Sequence, residues 1–247
     1  MTKYYDRAWN PIIGCQGKFD GCENCYARTL MKKRTGKTDF HKVKLNYKQI
    51  KNRFSNEDNI IAVCTQSDLF QNEVYFSTID GILRKCNKYK NKKFLFQTKY
   101  SKNLFQYFSN PNLMKILNNN HLDKFAFNNF YFGVSVCSKN DLNRISQLQE
   151  TPLIKHRFIS FEPVLEDIAD AITDDMLKGI EWVVIGSETG ENHRPCNIEW
   201  LIKIAEKLNK HNIKFYTSSI QLDNGEIILD AEIDKMPEIL RRNDLII

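Results

Sequence analysis

Cys15, Cys22 and Cys25 fall within eleven residues of a 247-residue chain, inside the stretch NPIIGCQGKFDGCENCY from Asn10 to Tyr26. Their spacing is C-x6-C-x2-C. Three thiolates in one loop leave a fourth coordination position for something else. Thiolates are soft ligands that select iron–sulfur clusters or zinc. A [4Fe–4S] cluster held by three cysteines keeps one iron open. A structural zinc usually takes four protein ligands, in two close pairs or a pair with histidine, and no histidine lies within fifteen residues of the loop. Spacing alone leaves three readings open: a cluster, a zinc site, or unligated thiols. Disulfides are disfavoured, because the chain has seven cysteines, an odd number, and nothing in it resembles a secretory leader.

Further chemistry-bearing residues follow short apolar runs. Behind the second run stand Cys64, Ser67 and Asp68; behind the third, Gln97, Thr98 and Lys99; behind the fourth, Ser135 and Cys137. Glu162-Pro163 follows the fifth run, GSETG with Glu188 and then Arg194 follow the sixth, and Thr217, Ser218 and Ser219 follow the last. Glu162 adjoins a strand that should be buried, and a buried carboxylate needs a partner; Lys99 or Arg194 could supply the charge. Glu188 lies between glycines that let backbone approach a ligand. Asp68 could equally cap the segment after it. Cys64, Cys137 and Cys196 also lie near strand ends, and a plain buried role suits a free cysteine.

The elements that must position these residues are legible as alternating patterns. The apolar runs are Trp9–Ile13, Ile60–Cys64, Phe94–Gln97, Phe130–Val136, Arg157–Phe161, Trp182–Gly186 and Ile213–Tyr216. Continuous runs such as IIAVC and WVVIG suit parallel strands covered on both faces. Helical spacing is read at Tyr26–Arg34, Thr78–Tyr89, Leu142–Gln149 and Asn197–His211. Strand–helix alternation implies right-handed βαβ units. The fold class is therefore α/β, a full or partial (β/α) TIM-type barrel of parallel strands. A doubly wound sheet is the alternative, but no GxGxxG follows the first strand. IQLDNGEIIL carries a hairpin signal, so residues 221–247 are read as an acidic C-terminal appendage on a single domain spanning 1–247.

The formal net charge is +6, and its distribution is uneven. Arg28–Arg53 holds ten Lys or Arg against one acid, and Arg84–Lys102 holds eight against none. Such blocks with interleaved aromatics suit a nucleic acid or nucleotide; solvated helix faces are the plain alternative. No run of eighteen apolar residues occurs, so a membrane span is not expected and a cytoplasmic location is.

The cysteine loop resembles that of the radical SAM (S-adenosylmethionine) superfamily, whose usual spacing is C-x3-C-x2-C and some of whose branches share CxxCYA. More closely, the chain is similar to the phage-associated family named after gene products thirty-seven and sixty-eight. The resemblance rests on Trp9, Asn10, Pro11, Gly14, Cys15, Gly21, Cys22, Asn24, Cys25, Tyr26 and Ala27, on Ser67–Phe70 and Gly133–Val136, and on Ser160–Leu165, Trp182–Gly190 and Arg194–Pro195. It implies that Cys15, Cys22 and Cys25 hold a [4Fe–4S] cluster whose open iron binds S-adenosylmethionine. One electron would then cleave the cofactor to a 5′-deoxyadenosyl radical that abstracts hydrogen from substrate. Ser67 and Asp68 would meet the methionine amino group, and Ser135 and Lys99 its carboxylate or ribose. Glu162, Glu188 and Arg194 would contact substrate or ribose. An electron donor and a three-Cys-motif partner protein are implied as partners. Two departures stand out. Tyr216–Ser219 replace a Lys-Gln-Trp contribution on the last strand, and Cys137 stands where an acid is common.

Overall fold

The apolar runs become neighbours in one sheet. The computed structural model describes residues 4–36, 38–113, 127–189, 192–222 and 224–245. Its strands are β1 (Arg7–Trp9), β2 (Ile12–Ile13), β3 (Lys44–Leu45), β4 (Ile60–Val63), β5 (Lys93–Thr98), β6 (Phe130–Ser135), β7 (His156–Phe161), β8 (Trp182–Gly186), β9 (Lys214–Gln221) and β10 (Ile227–Leu229). The main sheet has eight strands in the order β1-β4-β5-β6-β7-β8-β9-β10. All its pairings are parallel except β9 with β10. Strand order follows chain order without reversal. A doubly wound sheet would turn back on itself, so that alternative fails.

Winding in one direction places the helices on one face. They are α1 (Tyr26–Thr35), α2 (Tyr47–Lys51), α3 (Phe76–Asn87), α4 (Ser101–Phe108), α5 (Asn143–Glu150), α6 (Asp174–Leu177) and α7 (Ile198–Lys210). In α3 the residues Ile79, Ile82, Leu83 and Cys86 are buried, one stripe at helical spacing. In α7 the stripe is Leu201, Ile204, Ala205 and Leu208, and the Asn197 side chain caps the start by accepting from Glu199 N. These stripes pack on Ile61, Phe94, Phe132, Ile159, Val183 and Phe215 in the larger core cluster. Alternate strand residues face the other way. Leu95, Tyr131, Phe158, Trp182, Val184 and Tyr216 form a second cluster that no described helix residue joins. An exposed face that apolar must be covered, and curling the sheet covers it. Tyr4, just before β1, lies 5.4 Å from the rings of both Trp182 and Tyr216 on the far strands. The result is a curled half-barrel with helices outside.

The end of the chain differs from a simple strand-then-loop. Thr217, Ser218 and Ser219 lie inside β9 and are buried, not in the loop after it, because β9 continues into the hairpin with β10. Ile220 pairs with Ile228 there; Asp223 lies outside the described residues. The following segment folds back over β9. Trp182 Nε1 donates to the Asp244 carbonyl at 2.6 Å, and Thr217 N to Arg242 O at 2.9 Å. Among the described residues no helix is long and apolar enough to cross a membrane.

Candidate functional site

The cysteine loop sits at the C-terminal ends of the parallel strands and is held from several sides. Cys15 N donates to Phe40 O at 2.9 Å, and β2 pairs with β3 beneath it. Gln71, 1% exposed, is the main inner brace. Its Nε2 donates to Gly14 O, Ser67 Oγ and Asp68 O at 3.2, 3.0 and 3.0 Å, and its Oε1 accepts from Gln16 N at 3.0 Å. The Phe19 ring meets the Tyr100 ring at 5.0 Å and lies under the Arg144 guanidinium at 4.5 Å. Ser138 Oγ donates to Asp20 Oδ2 at 2.9 Å.

Two glycines let the sulfurs approach the backbone. A Cβ on Gly17 would stand 2.7 Å from Cys22 Sγ and 3.7 Å from Cys15 Sγ. One on Gly21 would stand 2.4 Å from Cys137 Sγ and 3.4 Å from Lys99 Cε. The loop thus lies on Cys137 and the Lys99 stem, with Cys15 and Cys22 beside each other. Burial pushes the Cys15 thiol up to about 12, helped by the Asp68 charge. Burial also raises Cys137 to about 11 against the pull of Lys99. For Lys99, burial lowers the pKa, but Cys137, Cys22, Asp68 and Cys25 outweigh it and the net direction is up. A metal loading here must displace the Cys15 proton, so loading releases acid.

The other expected residues divide by place. Asp68 is 6% exposed and fully engaged. Its Oδ1 accepts from Phe70 N at 3.0 Å and Thr98 Oγ1 at 2.7 Å, and its Oδ2 from Lys99 N at 2.9 Å. Burial raises its pKa, opposed by those hydrogen bonds. It ties β4's loop to the end of β5. Ser67 Oγ donates to Gly14 O at 2.6 Å, bracing the loop. Ser135 faces the concave side, where it accepts from Gln97 Nε2 at 2.8 Å. Glu162 Oε1 accepts from Ser218 Oγ at 2.5 Å on the same side. Between them Ser160 is fully buried, and its hydroxyl has no hydrogen-bond partner among the described residues.

Glu188 and Arg194 face each other and the cysteine loop. Glu188 is 6% exposed. It accepts from Arg194 Nη2, Nε and N at 2.6, 2.9 and 2.9 Å, and from Asn24 Nδ2 at 3.0 Å. Arg194 Nη1 also donates to Asp20 O at 3.0 Å and Glu23 Oε2 at 3.2 Å. Burial alone would raise the Glu188 pKa, but the Arg194 and Asn24 hydrogen bonds outweigh it and lower it. The pair clamps the loop from the sixth run's side; Gly190 lies outside the described residues. Cys64 is buried with φ +60, and burial raises its thiol. Cys196 is buried elsewhere, its N–H bonded to Gln221 Oε1 at 2.8 Å. Gln71 was not singled out from sequence, since a lone amide carries no spacing signal.

All seven cysteines are free thiols. Among the described residues no three Cys, His, Asp or Glu side chains converge into a ready-made metal site. The donor set still fits an iron–sulfur group in its chemistry: soft thiols of one loop, brought against glycine backbone, beside a lysine. Cys15, Cys22 and Cys25 are the residues that would hold it. A cavity of about 500 Å³ lies elsewhere, at the N-terminal ends of β8 and β9, lined by residues such as Leu177, Ile180, His211 and Lys214. It is remote from the thiols and carries none of this chemistry.

Fold and site together define a half-barrel of parallel strands with a thiol-bearing loop at the strands' C-terminal ends. The profile of a family described as "Protein of unknown function (DUF5131)" matches residues 1–222, and the chain belongs to that family. The match ends where β9 gives way to the hairpin turn. No curated protein and no solved structure matches the chain.

Proposed function

We propose that this chain is a radical S-adenosylmethionine enzyme whose half-barrel is of the TIM type and works in the cytoplasm with an external electron donor. The observation that carries the reading is a single loop bearing three thiols at the C-terminal strand ends, where parallel barrels place their active sites. A [4Fe–4S] cluster with S-adenosylmethionine, when bound, supplies one-electron cleavage to a carbon radical. The chain's own residues do the rest. Gln71, Ser67 and the Glu188–Arg194 pair fix the loop. Lys99 brings a positive charge to the thiols. Gln97, Ser135, Ser160, Glu162 and Ser218 make the concave wall polar, so a substrate there would meet hydroxyls and a carboxylate. A three-Cys-motif partner protein fits this reading as an accessory.

Anaerobic reconstitution with iron and sulfide tests it. A brown protein that releases 5′-deoxyadenosine from S-adenosylmethionine is expected, and Cys22→Ala abolishes both. Stoichiometric zinc with no iron uptake under reducing conditions would sink the reading.

A second reading, a zinc-stabilised non-catalytic barrel, is favoured by one observation. Cys137 Sγ lies against Gly21 and offers a fourth thiol, the number a structural zinc takes. Cys137→Ala separates the two: it weakens zinc binding in the second reading and leaves iron content unchanged in the first.

A further inference from the structure

We propose that residues 42–53 form a docking track for the phosphate backbone of a single-stranded nucleic acid, leading to the base of the cysteine loop. The sequence shows only that this region is basic. The structure shows where it runs. Lys44 pairs with Ile13, Asn46 N donates to Pro11 O at 2.7 Å, Trp9 Nε1 donates to Gln49 O at 2.9 Å, and Arg7 Nη1 to Arg53 O at 3.2 Å. The segment therefore lies antiparallel to residues 13–7 along the β1 edge of the sheet. The Arg7–Ile13 stretch beside it, six residue steps, spans about 20 Å where extended, enough for several phosphates of one strand.

The cations along it point outward. Lys42, Lys44, Lys48, Lys51 and Arg53 are exposed. The acid within the stretch's flank, Asp39, is paired with Lys42 at 3.6 Å, and Glu57 and Asp58 bound the lower end. Tyr47, 67% exposed, stands between Lys44 and Lys48. An exposed ring among cations gives a base a face to stack on, which suits a single strand over a duplex. Two lysines of the second basic block, whose Arg84, Lys88, Lys90 and Lys102 are likewise exposed, behave differently. Lys85 Nζ donates to Ile50 O and Asn52 O, both at 2.5 Å, and Lys92 Nζ to Ser55 O and Asp58 O at 2.6 and 2.8 Å. Those lysines hold the carbonyls under the track, so its surface cations remain outside. The track stands independently of any cofactor at the loop.

Fluorescence anisotropy of the full chain, free of added metal, with a labelled single-stranded oligonucleotide of mixed sequence tests it, in DNA and RNA arms. Binding should weaken with salt with a log–log slope of about −0.7 per phosphate neutralised. K48Q/K51Q should reduce that slope by about 1.4. Tyr47→Ala should weaken binding about ten-fold with the slope unchanged. K210Q/K214Q, on the opposite end of the sheet, should change neither. No binding at low salt, or a slope unaltered in K48Q/K51Q, overturns the proposal. So does tighter capture by phosphatidylserine vesicles that K48Q/K51Q abolishes, since that assigns the track to a membrane surface. Iron uptake and deoxyadenosine release are read separately, so failure here leaves the cofactor reading standing, and the reverse.

Discussion

At the scale of single residues the Glu188–Arg194 pair decides whether the loop is held. Glu188 is buried and accepts four hydrogen bonds, three of them from Arg194. Removing one partner of such a pair leaves a buried charge, which costs about 3 kcal/mol. Arg194→Gln should therefore lower the stability measured by urea unfolding by about that amount. The pH sign follows from the direction of the shift. The folded Glu188 pKa is lowered, so the unfolded state takes up its proton first as pH falls. The stabilisation is complete above the ordinary glutamate value of about 4.3 and is lost as pH drops through the folded value. In Arg194→Gln this acid-side loss should shrink; an unchanged acid limb between wild type and variant would show that the pair does not govern it. The cysteines were legible as a group from spacing alone. The pair was not: six residues apart in sequence, its two members point back to Asp20, Glu23 and Asn24, and no periodicity marks that.

At the scale of elements, alternation of apolar runs with helical stripes was enough to read six of the seven runs as sheet strands. Thr78–Tyr89 is found as Phe76–Asn87, Leu142–Gln149 as Asn143–Glu150 and Asn197–His211 as Ile198–Lys210. The first run splits into β1 and β2, because Asn10-Pro11 interrupts the ladder and proline lacks the donor a ladder needs. The helices α2, α4 and α6 went unread; α2 and α6 are short, with five and four residues, and α4 begins without a side-chain cap. Polar Thr217–Ser219 concealed the length of β9, since their hydroxyls are buried by neighbours from β8 and the tail. That tail has a definite task. It covers β9 with β10 and closes on Trp182 through Asp244. A chain stopped after Gln221 would present β9 as an open edge, a template for pairing with other chains. Size-exclusion chromatography should show it aggregated; a stable monomer would mean that the tail is dispensable.

At the scale of the whole molecule, the sheet curls without hydrogen bonds joining its two end strands among the described residues; its order runs from β1 to β10. Contact across the concave face is aromatic, through Tyr4 on Trp182 and Tyr216. Tyr4 is 8% exposed, and truncating a buried aromatic costs about 3 kcal/mol. Tyr4→Ala should lower stability by about that much and raise amide exchange in β1 before the central strands β6 and β7. Uniform exchange across the sheet would mean that the curl is held elsewhere.

The clamp across the loop also sets an order of assembly. Asp20 receives its bond from Arg194, 174 positions later in the chain. During synthesis the cysteines leave the ribosome well before Arg194, so the Glu188–Arg194 clamp joins the Gln71 brace only after the sixth run has emerged. Contacts so distant in sequence form late. Until then the loop that carries the three thiols rests on nearer partners such as Phe40, Ser67 and Gln71.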